Sequence, residues 1–109
     1  VDSDQYEDGI YEGKKSAVLT SMVKRVENST KMALEAVADG TFKGGVVTMG
    51  MKEDGVDYSK ANPELSADVQ AAVDASKADI ISGKIKIYGT YKDALAAGAV
   101  PAGLAAKDD

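Results

Sequence analysis

The first nine residues, VDSDQYEDG, bring the carboxylates of Asp2, Asp4, Glu7 and Asp8 close together on the chain, and a cation follows at Lys24. Acids at this spacing suit a metal loop, a solvated acidic turn, or the acceptor half of a grip on a polar ligand. The metal reading is tested by counting. A calcium loop begun at Asp4 has Asp8 at its fifth position and Gly9 at its sixth, but Tyr6 stands third and Lys15 twelfth, where a bidentate acid is required. A loop begun at Asp2 has Tyr6 at the fifth position and Glu7 where the glycine belongs. No metal ligands are therefore expected, and the solvated loop and the polar grip both stay open.

The stretch Thr20-Ser21-Met22-Val23-Lys24 sharpens the choice. With Ser21 as the cap of the following helix, Lys24 falls in the first turn, where the backbone dipole disfavours a cation by roughly several tenths of a kcal/mol. A capping box would carry Glu or Gln there. Either the ammonium reaches into water along its own stem, or it faces a carboxylate or an electron-rich ligand atom.

Composition removes most other chemistries. The chain has 109 residues, enough for one modest core, and contains neither Cys nor His. Disulfides, thiol nucleophiles, zinc sites and Ser-His-Asp triads are excluded at once. Asp2, Asp4 and Lys24 remain as the one acid-base constellation, and no nucleophile or metal set accompanies them, so the chain does not read as an enzyme and no cofactor is expected. A formal charge of −5, with basic residues clustered only as Lys14-Lys15 and Lys24-Arg25, argues against a nucleic-acid partner. No apolar run approaches the length of a membrane span, and no signal peptide is visible.

The elements that must position these residues alternate between two periods. Apolar residues at Met22, Val26, Thr30, Ala33, Leu34 and Val37 predict a helix over 21–39, stopped by Asp39-Gly40. A second helix begins near Asn62-Pro63 or at Ser66 and ends at Ser82-Gly83, with Leu65, Val69, Val73 and Ile80 on one face. Short strands are predicted at 17–20, 46–49 and 85–88, and Lys52-Glu53-Asp54-Gly55 reads as a turn before Val56-Asp57-Tyr58. Helices that end in glycine and lead into β-branched runs are the grammar of an α/β protein with crossover helices. Ala94 to Asp109 reads as a weak helix or a mobile end. The five tyrosines read as packing at strand ends and turns, and the four methionines as core filler.

Several spaced strings carry a resemblance: VDSDQ, then VLTSMVKRVENSTKMALEAVADGTFKGG, then GMKEDGVDYS, then ADIISGKIKI. Together they resemble the C-terminal part of the basic-membrane-protein family, over residues 1 to 88 in one register. The members of that family are bacterial lipoprotein solute receptors of ABC importers, typified by purine-nucleoside receptors. The resemblance implies a type I periplasmic-binding-protein-like fold of α/β class, with short, mainly parallel strands, crossover helices and a ligand held between two lobes. It implies that Asp2 hydrogen-bonds the ribose hydroxyls, that Lys24 reaches the same cleft, and that Asp4 is a possible further contact.

It also implies that residues 1–20 and 44–91 belong mainly to the C-terminal lobe, that the 21–40 helix packs on the N-terminal lobe, and that 92–109 is a tail. The chain then reads as a fragment, inactive alone, whose partners are a nucleoside, the missing N-terminal portion or a second copy, and the permease and ATPase of the intact system. Its expected place is the bacterial cell envelope, outside the cytoplasm, lipid-anchored through the missing N-terminus. A regulatory or adhesive use of the same scaffold, or nucleoside processing, are the alternatives that the resemblance leaves.

Overall fold

The structure, a computed structural model, describes residues 1–101 and Gly103. After a single 3-10 turn at Glu7–Gly9, strands β1 (Ile10–Tyr11) and β2 (Lys15–Ser16) form a short antiparallel hairpin. Its tip turns through Glu12 and Gly13, both with positive φ (46° and 86°), which the missing side chain of Gly13 makes easy. Strand β3 (Met22–Lys24) then leads into helix α1 (Val26–Ala38). The chain returns through a tight turn to β4 (Val56–Tyr58), which pairs antiparallel with β3, Met22 opposite Tyr58 and Lys24 opposite Val56. Helices α2 (Ala67–Ile81) and α3 (Tyr91–Ala96) complete the described part. Ser66 caps α2, its hydroxyl accepting from the Val69 amide, and Thr90 caps α3 through the Asp93 amide.

The start of α1 corrects the sequence reading. Helical periodicity places Ser21 to Lys24 in the first turn, but those residues are strand and strand entry, and the helix begins five residues later than Ser21. Tertiary pairing decides the matter: the Ser21 carbonyl accepts from the Ser59 amide, and Lys24 donates its amide to Asp2. Lys24 therefore never meets the helix dipole, and its presence needs another cause. Arg25 stands at the helix entrance without a side-chain cap.

The predicted strands at 17–20, 46–49 and 85–88 have no ladder partners among the described residues. Residues 17–20 are clamped by side chains instead. Asn62 donates its amide to the carbonyl of Val18, and the Thr20 hydroxyl donates to the Ser59 carbonyl, so side chains distant in sequence take up groups that a ladder would use. Within 46–49 and 85–88, Val46 is 98% and Ile87 71% exposed, so these side chains find no neighbouring sheet to pack on. A β-branched run becomes a strand only where a neighbour supplies the hydrogen bonds. The expected parallel ladders are likewise not found among the described strands. Both sheets are antiparallel, and the parallel contact is one bridge, Asp2 beside Val23.

The core is small. Leu65 and Ala94 are the buried hydrophobic residues among those described, while Val26, Leu34 and Val37 of α1 and Val69 of α2 are exposed. The radius of gyration is 17.7 Å, against about 13 Å for a closed domain of this length. Met32, Ala33 and Ala36 on α1, with Phe42, Val47 and Met49 after it, line an open apolar groove of about 480 Å³. The tail expected over 94–109 starts earlier, as α3, and its last residues lie outside the described part.

Candidate ligand-binding site

Asp2 is held against β3 by its own backbone. Its amide donates to the Met22 carbonyl at 2.9 Å, and its carbonyl accepts from the Lys24 amide at 2.9 Å, so the two bonds straddle Val23. Alternation along the strand turns Lys24 to the opposite side from Val23. The Lys24 ammonium then meets the Asp2 carboxylate at 2.8 Å. Two residues that the family resemblance expects to share a ligand thus share a salt bridge, formed across a bridge between chain segments and not along a helix.

Asp2 has φ of 89°, in the left-handed region that residues other than glycine seldom occupy. Such strain survives only where surrounding bonds over-determine it, and it concentrates at ligand contacts. The hydrogen bond and the positive charge of Lys24 hold the Asp2 carboxyl below its ordinary pKa, so at neutral pH it is an anion that only accepts. Both side chains remain about two-thirds exposed. The carboxylate keeps free lone pairs, and the ammonium, bonded once, has further N–H groups to donate. This pair can take two hydroxyl donors on the acid and an acceptor oxygen or nitrogen on the cation.

Asp4 is built into the protein more fully. Its Oδ1 accepts from the Tyr6 amide at 3.1 Å and its Oδ2 from the Ser59 hydroxyl at 2.7 Å. Gln5 donates its amide to the Ser21 hydroxyl at 3.1 Å. Glu7 and Asp8 lie in the 3-10 turn, away from the pair.

A hollow of about 460 Å³, bordered by Asp4, Val23, Arg25, Asp57, Ser59 and Lys60 among others, opens beside β3 and β4. Neither Asp2 nor Lys24 lines it. Arg25 donates to Asp54 at 2.6 Å and to Glu27 at 3.0 Å, and Asn28 donates to the Asp54 carbonyl at 2.8 Å. Lys77 of α2 pairs with Asp57 at 3.1 Å, and the Tyr58 hydroxyl donates to Asp74 at 2.8 Å. These contacts tie the start of α1 to the turn before β4, and α2 to β4 itself. Apart from Arg25–Glu27, each joins residues sixteen or more positions apart, so no local stretch of sequence signals them.

Residues 1–91 match the sequence profile of the PnrA-like substrate-binding proteins of ABC transporters. The chain is 37% identical over 92 residues to the ABC transporter nucleoside-binding protein BmpA of Lactococcus lactis, which covers 80% of this chain and 26% of that protein. It is 34% identical over 92 residues to the CD4+ T-cell-stimulating antigen of Listeria monocytogenes, with the same coverage of both chains. A lipoprotein of Pyrococcus abyssi is 50% identical over 38 residues, 35% of this chain and 9% of its own length. The chain thus spans about a quarter of the length of these Lactococcus and Listeria relatives. With the family profile matching residues 1–91, the chain belongs to the PnrA-like family of ABC transporter substrate-binding proteins.

Proposed function

We propose that this chain is the C-terminal portion of a nucleoside receptor that feeds an ABC importer, and that Asp2 and Lys24 hold the sugar. The observation that carries the reading is the exposed, ionised Asp2–Lys24 pair at 2.8 Å, on a strained strand end. A ribose offers two adjacent hydroxyl donors, and a carboxylate accepts both; hydrogen bonds to an ion are roughly twice as strong as neutral ones. Lys24 keeps the acid ionised and donates to a ring or base acceptor. The site also stands at a strand end, where open α/β folds hold their ligands. The name of the Lactococcus relative, a nucleoside-binding protein, points the same way.

The apolar groove and the exposed face of α1 fit a chain whose core is completed by the remainder of the receptor or by a second copy of this segment. An open half-site with no opposing wall binds weakly, so this chain alone has little affinity for nucleoside. In the intact system its partners are the permease and ATPase. The lipoprotein relatives favour an anchored place outside the cytoplasm. Thermal shift of the intact receptor against a panel of nucleosides, free bases and sugars tests the proposal. Ligand stabilisation by nucleosides, lost in Asp2→Ala and Lys24→Ala, is expected; nucleoside stabilisation retained in both variants overturns it.

A further inference from the structure

We propose that Asp4 and Ser59 form a clamp that aims the Asp2 carboxylate, so that Asp4 is a positioning residue and not a ligand contact; this inference rests on the nucleoside reading above. Both carboxylate oxygens of Asp4 already accept hydrogen bonds within the protein, from the Tyr6 amide and from the Ser59 hydroxyl. A carboxylate only accepts, so the Ser59 proton points at Asp4, and the free lone pair of that hydroxyl accepts from the Ala61 amide at 3.1 Å. The backbone of Ser59 is fixed as well. Its amide donates to the Ser21 carbonyl at 2.8 Å, and its carbonyl accepts from the Thr20 hydroxyl at 2.7 Å. Ser21, 5% exposed, receives the backbone amide of Gln5 on its hydroxyl.

The outcome is a closed ring of bonds. It ties residues 4 and 5 to the entrance of β3 and the exit of β4, just downstream of the strained Asp2. Asp2 itself is fixed by two backbone bonds to β3, but a φ of 89° relaxes if the chain beyond it is free to turn. A turn there swings the carboxylate off Lys24 and away from the sugar. The clamp prevents this by holding the next two residues.

The test is a double-mutant cycle in the intact receptor, read by calorimetry with inosine and 2′,3′-dideoxyinosine as probes. Ser59→Ala and Asp4→Ala are each expected to weaken inosine roughly three- to tenfold and to leave dideoxyinosine within about twofold, because only the diol uses Asp2. Asp4→Asn, which keeps an acceptor for the Tyr6 amide and can donate to the Ser59 oxygen, is expected to restore most of the affinity. In an Asp2→Ala background neither alanine change has a further effect. The clamp is refuted if Ser59→Ala is silent while Asp4→Asn loses as much as Asp4→Ala, the pattern of a direct charge contact. Equal losses for both probes, or losses that persist without Asp2, refute it too. If Asp2→Ala alone leaves the ratio of the two affinities unchanged, the nucleoside reading fails and the clamp fails with it.

Discussion

Replacement of Gly55 by alanine is the perturbation whose consequence can be worked most directly from the geometry. Gly55 closes the turn between α1 and β4, its amide donating to the Gly50 carbonyl at 2.9 Å and its carbonyl accepting from the Arg25 amide at 2.9 Å. A Cβ placed there lies 2.5 Å from the Met49 Cβ, 2.6 Å from its carbonyl oxygen and 2.8 Å from its carbonyl carbon. Two of those neighbours are main chain and cannot swing aside, so the turn must open by about half an ångström. Overpacking on that scale costs about 1–3 kcal/mol. Both hydrogen bonds of Gly55 stretch with it, and Val56, directly opposite Lys24, shifts in register. Gly44 serves as the control, because a Cβ there meets nothing within 4 Å. Urea unfolding of the intact receptor with Gly55→Ala is expected to show a loss of about 1–3 kcal/mol at unchanged slope. Gly44→Ala is expected to stay within about 0.5 kcal/mol of the parent. A Gly55→Ala receptor as stable as Gly44→Ala would refute the steric reasoning.

Two further outcomes follow from buried and half-buried groups. Asn62, 5% exposed, gives its amide to the Val18 carbonyl and accepts from the Glu64 amide, so Asn62→Ala leaves both unpaired and should cost about 1–3 kcal/mol in the same urea assay; an unchanged midpoint contradicts this. Burial pushes the Asp57 carboxyl up, but the Tyr58 amide and the Lys77 ammonium outweigh it and hold the group below its ordinary 3.8. A depressed folded pKa gives stability that is present above the unfolded value and is lost as pH falls through the folded one. Lys77→Ala should therefore shrink the loss of stability between about pH 5 and pH 2, and equal losses in variant and parent would exclude the linkage.

How much was legible in the sequence depends on which interactions fixed each element. The second helix and its Ser66 cap were readable because a cap and its amide lie three residues apart. The first helix was misplaced at its start because Ser21 to Lys24 carry helical periodicity but bond to Asp2 and Ser59, contacts that no local window contains. The runs at 46–49 and 85–88 show the reverse failure: strand propensity is present, but the described residues offer no neighbouring strand. Asp2 and Lys24 were found through residue type and family resemblance, and the dipole argument first attached to Lys24 does not hold on a strand. The cation stands where it does because Asp2 lies beside Val23. The engagement of Asp4 by Ser59, 55 residues away, had no signal in the sequence at all.

The most direct measurement is a crystal structure of the intact receptor with a nucleoside bound. We expect both ribose hydroxyls within about 2.7–3.2 Å of the Asp2 carboxylate oxygens, and Lys24 Nζ at a similar distance from a ligand acceptor. A nucleoside bound elsewhere, with Asp2 and Lys24 closed on each other and no ligand atom in reach of either, would contradict it.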